Sequence, residues 1–310
     1  MRIVVSGATG FLGRPLVQAL RADGHTVVGL TRSHAASGDL VAWRPDGTTG
    51  DWARHLDGTD GVINLSGESI GGRRWTRKQK ARIHDSRILA TRSIVTAVRS
   101  LARPPRFLLN ASGVGYYGFR DDEIITEESG PGPDFLATVC REWEAEAMGA
   151  EKAGTRVAVA RSGVVLYRDG GVLEQMARPF KWFVGGRLGP GRQYVSWIHR
   201  EDWIALVRFL LGSEESRGAF NATAPAPVTN AELTEVLARA LHRPAFMRAP
   251  AFALKLALGE MAEALLLASQ RAVPARALDA GFAFKYPTLS EAVGEIFAKE
   301  ERRNVKKERR

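Results

Sequence analysis

Two rhythms of apolar residues alternate along the first half of the chain. Short unbroken runs at Ile3 to Val5, Val27 to Leu30, Gly61 to Leu65, Phe107 to Ala111 and Val157 to Ala160 have the length of strands buried on both faces. Between them, apolar residues recur at helical spacing: Leu16, Val17 and Leu20, then stretches near Trp52 to Leu56, Trp75 to Leu101 and Phe135 to Ala153. Strands alternating with helices predict a parallel sheet covered by helices on both faces. Within the long helix, Arg87 lines up with Thr91, Val95 and Val98, so its side chain is expected on the sheet-packed side, where a charged group needs an anionic partner.

The pattern changes after Gly163. Gly170, Gly171, Gly185, Gly186, Gly189 and Gly191 punctuate a loop-rich stretch, followed by a predicted strand at Tyr194 to Ile198 and a helix at Glu201 to Leu211. A helix capped near Thr229 or Asn230, another over Pro250 to Ala268 and a last one from Leu289 to Lys299 complete the reading. This divides the chain into an alternating strand-helix domain over 1–163, a smaller mixed lobe over 164–298 lying across the carboxyl ends of the strands, and a basic tail over 299–310 that reads as frayed and solvated. There is no internal repeat and no low-complexity segment.

The first strand runs straight into Gly7-Ala-Thr9-Gly10-Phe11-Leu12-Gly13, and a helix opens on the last glycine. Strand, glycine turn and helix together are the setting of a dinucleotide site: the glycines let backbone approach a pyrophosphate, and the helix start offers N–H groups and positive dipole. The spacing is GxxGxxG, not GxGxxG. The fold class that follows is α/β, a Rossmann-type doubly wound parallel sheet with a smaller mixed C-terminal lobe. The end of the second strand selects the cofactor. Where NAD requires an Asp or Glu for the ribose hydroxyls, this chain has Thr31-Arg32-Ser33, which suits a 2′-phosphate and therefore NADP(H).

Charge and composition narrow the alternatives. The 310 residues carry 44 Lys and Arg against 34 Asp and Glu, a formal charge of +10. Eleven of the basic residues stand between Gly71 and Arg106 with one acid, Asp85, and seven more stand from Lys299 onward. The first cluster lies beside the cofactor motif and has no interleaved aromatic beyond Trp75, so it is assigned to bound phosphates and nucleic acid is not favoured. One cysteine, Cys140, excludes an intrachain disulfide, and six scattered histidines without ligand spacing exclude a metal centre. The opening MRIVVSGATG has no signal-peptide character and no later run is long enough to span a bilayer, so a soluble cytoplasmic protein with a small-molecule substrate is expected.

With its glycine turn, the sequence resembles the extended and atypical short-chain dehydrogenases/reductases. Asn64-Leu-Ser-Gly-Glu68, Ser86-Arg87, Gly115-Tyr-Tyr-Gly118, Trp143-Glu144, Arg161-Ser-Gly-Val-Val-Leu166, Ser196-Trp-Ile-His199 and Ala224-Pro-Ala-Pro-Val-Thr-Asn230 are similar to the subgroup labelled "epimerase family protein". The C-terminal residues Pro244, Gly259-Glu260, Gln270-Arg271, Pro274 and Gly281-Phe282 resemble its domain of unknown function, so the likeness spans Met1 to about Phe297. The resemblance implies that Thr31 and Arg32 hold the adenosine phosphate. It further implies that Leu65, Ser66, Gly67 and Glu68 lie along the cofactor, that Arg82 and Arg87 reach it from the next helix, and that Val164 approaches the nicotinamide.

Most active members of that superfamily pair a tyrosine with a lysine four residues later, the lysine holding the phenol ready for proton exchange. None of the tyrosines at 116, 117, 167, 194 and 286 has that lysine, and the helix that should carry the pair offers Val139 and Trp143 or Cys140 and Glu144. The superfamily's Ser or Thr after the fifth strand falls on Gly113, with Ser112 adjacent. The substitutes are Tyr116, Tyr117, Ser112 and Glu68. Arg161 fits either an anionic substrate or a buried pair, Asp202 a helix N-cap beside His199, and Cys140 a packed position. Two functions follow: an NADP(H)-dependent oxidoreductase or epimerase-like enzyme on a small, anionic molecule, or a non-catalytic NADP(H) sensor.

Overall fold

In the computed structural model the described residues are 1–33, 38–168 and 170–308, with only the backbone described over 299–308. The chain forms two compact units. The first comprises Met1–Tyr116, Pro131–Arg161 and Ile204–Phe220, the second Tyr117–Gly130, Ser162–Trp203 and Asn221–Arg310.

The strands, in chain order, are β1 (Arg2–Ser6), β2 (Thr26–Thr31), β3 (Leu40–Ala42), β4 (Gly61–Asn64), β5 (Phe107–Gly113), β6 (Ile124–Ile125), β7 (Arg156–Ser162), β8 (Val164–Leu166), β9 (Gly186–Leu188), β10 (Tyr194–Val195), β11 (Trp197–His199), β12 (Gly218–Ala222), β13 (Val228–Thr229), β14 (Met247–Ala249) and β15 (Arg271–Ala272). The long helices are α1 (Gly13–Ala22), α2 (Arg77–Ser100), α3 (Phe135–Met148), α4 (Val172–Lys181), α5 (Arg200–Gly212) and α6 (Asn230–Leu241). They are followed by α7 (Ala251–Leu258), the short α8 (Glu260–Ala262) and α9 (Ala275–Asp279), and α10 (Leu289–Glu308).

Seven strands make one sheet in the order β12-β7-β5-β4-β1-β2-β3, with β1 parallel to both β2 and β4 and β4 parallel to β5. The order reverses at β1, the point where open α/β sheets hold ligands. The five apolar runs read from sequence all become strands of this sheet. The edges β3 and β12 are additions: three residues at Leu40–Ala42 and the mixed Gly-Ala-Phe-Asn-Ala carry too little periodicity to be recognised alone. Thr91, Val95 and Val98 bury on α2 as their spacing requires, and the two valines pack with Val4, Val62, Leu108 and Trp52.

Across the carboxyl ends of the central strands runs a row of buried polar side chains. Register sets Asn64 opposite Ser6 on one side and Asn110 on the other. The Asn64 carbonyl accepts from Ser6 Oγ (2.6 Å), and its amide donates to Thr91 Oγ1 (2.8 Å) and Asn110 Oδ1 (2.7 Å). Trp143 Nε1 donates to the same Thr91 oxygen (2.7 Å), and Ser66 Oγ donates to Ser6 Oγ (2.9 Å). β1, β4, β5, α2 and α3 are thereby tied at one point.

The second unit pairs its strands two by two: β8 with β11, β9 with β14, β10 with β13 and β6 with β15. Its core gathers Leu166, Phe180, Trp197, Leu233, Leu237, Leu289 and Val293. Four expectations need correction here. The single strand at Tyr194 to Ile198 is split, because Ser196 leaves the ladder: its Oγ accepts from Ala272 N (2.8 Å) and is 2.7 Å from Gln270 O, so β10 and β11 join different partners. The helix over Pro250 to Ala268 breaks at Gly259, whose φ of 62° and ψ of −140° no helix accommodates, and ends in a π-helical turn at Glu263–Leu267. The last helix runs past Lys299 to Glu308 through Glu, Lys and Arg, good helix formers that follow after the apolar spacing stops, and the end of the basic tail at 309–310 lies outside the described residues.

Asp202 is not the N-cap of α5. It sits in the first turn, and its carboxylate accepts from the backbone N–H groups of Lys285 (2.8 Å) and Tyr286 (2.9 Å). The capping group is fully buried His199, whose Nδ1 lies 3.2 Å from Glu201 N, while its Nε2 stands 3.3 Å from Glu295.

Replacing Asn64 by Ala is expected to cost about 2–4 kcal/mol, because donors and acceptors of three neighbours lose their partner where water cannot replace it; a fall in the urea midpoint checks this. A second expectation concerns His84, which lies 2.9 Å from its neighbour Asp85 on α2 and joins α2 to α3 through Glu142 (2.8 Å). Partial burial pulls its pKa down, but hydrogen bonds to the two carboxylates outweigh that and raise it. The charged clasp therefore stabilises fully below about pH 6.5 and is lost as pH rises through the raised folded value. The difference in thermal midpoint between wild type and His84→Gln should accordingly shrink from pH 6 toward pH 9.

Candidate functional site

The glycine turn after β1 has no room for side chains. A Cβ on Gly13 would stand 2.1 Å from the Gly7 carbonyl oxygen, and one on Gly7, whose φ is +69°, would stand 2.9 Å from the Leu65 carbonyl oxygen. The turn closes on itself through Gly10 N to Gly7 O (3.0 Å). No side chain caps α1. Its first N–H groups thus lack the usual side-chain acceptor, a requirement for holding an anion.

Above the turn opens a cleft of about 780 Å³. Its walls include Gly7, Thr9 and Gly10 from the turn, Thr31 and Arg32 from the end of β2, Leu65, Ser66, Gly67 and Glu68 after β4, and Arg82 from α2. Of the cofactor residues proposed from sequence, these ten are brought together. Phe11, Leu12 and Gly13 form the floor of the turn and the start of α1 and do not line the cleft. Arg87 also stands behind the lining: its guanidinium donates to Ile83 O (2.9 Å), stacks over Trp143 at 5.2 Å, and would lie 3.0 Å from a Cβ on Gly67. Burial lowers its pKa, opposed by the neighbouring Cys140 and Glu68. Val164 belongs to the second unit, on β8 opposite Trp197.

Ser33, read from sequence with Thr31 and Arg32, lines the cleft too, while the sequence reading missed Leu30, Trp43, Pro45, Asp85, Ser86 and Leu89, which also line it. Ser86 Oγ accepts from Glu68 N (2.9 Å) and so fixes the loop after β4. Trp43 is held edge-on against Trp52 (5.2 Å). A tryptophan just beyond a three-residue edge strand gives no periodic signal, whereas Ser86 was visible as the neighbour of Arg87.

The helix that carries the superfamily's acid-base pair holds a closed ion pair here. Glu144 on α3 is buried; Arg161, ending β7, donates to both its oxygens (2.9 and 2.8 Å), and Ser112 Oγ donates to Oε1 (2.7 Å). Arg161 is thus a partner of Glu144, which decides between the two roles open to it from sequence. Cys140 is buried with its pKa pushed up to about 11, chiefly by desolvation and then by the Glu144 charge, as befits a packed thiol.

The candidate proton donors separate. Tyr117 is fully buried in the second unit and donates to Asn221 Oδ1 (2.7 Å). Ser112 is committed to Glu144. Tyr116, in the 3-10 turn Val114–Tyr117, is half-buried and lies against the Arg161 guanidinium, 3.5 Å from its ring centre. Among the described residues, no group of three or more His, Cys, Asp or Glu could hold a metal ion, and no helix is long and apolar enough to cross a membrane.

Comparison with known proteins places this geometry. Residues 249–296 match the domain of unknown function DUF1731. An epimerase family protein of Mycobacterium leprae is 40% identical over 291 residues, covering 94% of each chain. The chloroplastic SDR39U1 homolog of Arabidopsis thaliana is 40% identical over 303 residues, 96% of this chain and 86% of that protein. The crystal structure of human epimerase family protein SDR39U1 with NADPH superposes with a TM-score of 0.88 at 32% identity, over 96% of this chain and 99% of that one. Residues 3–222 match the NAD dependent epimerase/dehydratase family, and the chain belongs to that family.

Proposed function

We propose that the protein is an NADP(H)-dependent oxidoreductase of the epimerase family acting on a small molecule. The observation that carries the cofactor is the cleft's adenosine end: Thr31, Arg32 and Ser33 close β2 with no carboxylate, beside Arg82 and an uncapped helix start. The glycine turn fits a pyrophosphate, since any Cβ at Gly7 or Gly13 would collide with backbone. The solved human relative with NADPH supports the same assignment.

When bound, the nicotinamide supplies or accepts a hydride. The chain's own residues divide the remaining work. Arg32 and Arg82 bind the adenosine phosphate, Thr31 orients it, and Leu65, Ser66 and Gly67 form the wall along which the cofactor extends. Arg87, behind Gly67, adds positive potential to that wall. Glu68 is placed to hold a ribose hydroxyl. Tyr116 is assigned proton exchange with substrate, since it is half-buried after β5 with its ring on the Arg161 guanidinium, whereas Tyr117 is fully buried against Asn221 and Ser112 bonds Glu144. The self-satisfied trio Ser112, Glu144 and Arg161 favours a second reading, a protein that binds NADP(H) without turnover.

Titration of intrinsic fluorescence with NADPH and NADH tests the first step. Loss of charge-assisted hydrogen bonds in Arg32→Ala should weaken NADPH binding about 10–100-fold and leave NADH almost unchanged; failure of the wild type to bind either cofactor would sink the proposal. Screening carbonyl substrates for NADPH oxidation tests the second. Turnover abolished in Tyr116→Phe at unchanged NADPH affinity supports the enzyme, while tight NADPH binding without turnover on any substrate favours the sensor.

A further inference from the structure

Within the second unit, α4, β9, α6 and β14 surround a recess of about 380 Å³, the size of cavities that take small ligands. Its walls are mostly apolar: Met176 and Phe180 come from α4, Leu188 from β9, Leu237 from α6 and Leu266 from the π-helical turn. Two of these segments are tied together by Gln193, whose Nε2 donates to Leu188 O (2.9 Å) and Leu266 O (3.0 Å). The recess is therefore held in shape by the fold.

One buried polar group in its wall is left over. Asn230 is only 4% exposed, and its Oδ1 accepts from Leu188 N (2.9 Å). That bond fixes which end of the amide is which, because a backbone N–H can be met only by the oxygen. Among the described residues no group accepts from Nδ2, so the donor end is what Asn230 offers to the recess. The other polar residues of the wall do not satisfy it: Thr234 already donates to Asn230 O (2.7 Å), and Gln175 is exposed on α4. A buried donor without an acceptor is costly, and a ligand that brings an acceptor removes the cost.

Charge selects the kind of acceptor. Around the recess, Arg178 is paired with Glu174 (2.9 Å), Arg187 with Glu235 (2.9 Å) and Lys255 with Glu263 (2.6 Å). Arg248, opposite Arg187 in the β14–β9 ladder and itself part of the wall, has no carboxylate partner among the described residues. An apolar wall, a buried N–H donor and one uncompensated guanidinium together suit a singly charged anion on a hydrocarbon body. A ligand cation would bring no acceptor and would face Arg248; a neutral hydrocarbon would leave Nδ2 unmet; a diphosphate would need more than one free cation.

We propose that this recess binds a small monocarboxylate with an apolar body, its carboxylate on Asn230 Nδ2 and the Arg248 guanidinium and its hydrocarbon among Met176, Phe180 and Leu237. The inference does not depend on the cofactor assignment, since binding is read on the full chain without nucleotide. Isothermal titration calorimetry with butanoate, hexanoate and octanoate is expected to show one saturable site that tightens about three- to fourfold per added methylene. The neutral n-octanol should bind at least about tenfold more weakly than octanoate. Asn230→Asp keeps the acceptor for Leu188 N and removes the donor, so far-UV circular dichroism and thermal midpoint should stay as in the wild type while octanoate binding falls at least about tenfold. Arg248→Ala changes an exposed position and should weaken octanoate several-fold while leaving n-octanol unchanged. Absence of saturable octanoate binding, octylammonium or n-octanol binding as tightly as octanoate, or an octanoate affinity unchanged in either folded variant would overturn the proposal.

Discussion

Asn64 is the side chain on which the ligand end of the sheet depends. It sits at the last position of β4, fully buried, where parallel strands leave their terminal peptide groups without further ladder partners. An apolar residue there would pack, but it would leave Ser6, Thr91 and Asn110 facing one another with too few partners. With an amide, each of the three gains a hydrogen bond, and Asn64 Oδ1 also lies 3.3 Å from Ser66 N, which turns the chain out of the strand. The loop that follows, Leu65 to Glu68, becomes a wall of the cleft because its first residues are held in this way. The low-dielectric setting makes such a network stabilising only when every member is satisfied.

A few ångströms of helix register decide the chemistry beside that network. Trp143 on α3 donates into the network through Thr91, so α3 cannot rotate without breaking it. That constraint delivers Glu144, one residue on, to Ser112 and Arg161. A buried carboxylate in this position requires a cation with good geometry, and the two-pronged guanidinium supplies it. The outcome is a rigid, charge-balanced plug where related folds keep a titrating pair. The Arg161 guanidinium also lies on the Tyr116 ring, which fixes that phenol after β5. Under the proposed function, cofactor binding draws on backbone and glycines, and proton exchange on the phenol that the ion pair positions.

The second unit is held together otherwise. Its strands are two or three residues long and pair in twos, so backbone ladders contribute little. Side chains that bind backbone groups of distant segments take their place: Asp202 the amides of Lys285 and Tyr286, Ser196 the strand at Ala272, and Gln193 the carbonyls of Leu188 and Leu266. A unit organised by such single anchors leaves short elements like α7 with apolar side chains still in solvent.

The sequence by itself determined five strands of the central sheet, the helices that follow them, the glycine turn and the basic end of β2. All of these are local: strand runs, helical spacing, backbone room at glycine and the side chain next to a strand end are fixed by residues a few positions apart. What only the tertiary structure decided involves partners far along the chain. Tyr117 could not be separated from Tyr116 until Asn221, 104 residues on, was seen to take its hydroxyl, and Arg161 stayed ambiguous until Glu144 was found against it. Asp202 looked like a cap because caps are local, yet its amides come from 83 and 84 residues away. Buried polar groups are satisfied by whatever the fold brings near, and proximity between distant segments is the one quantity that hydrophobic periodicity does not encode.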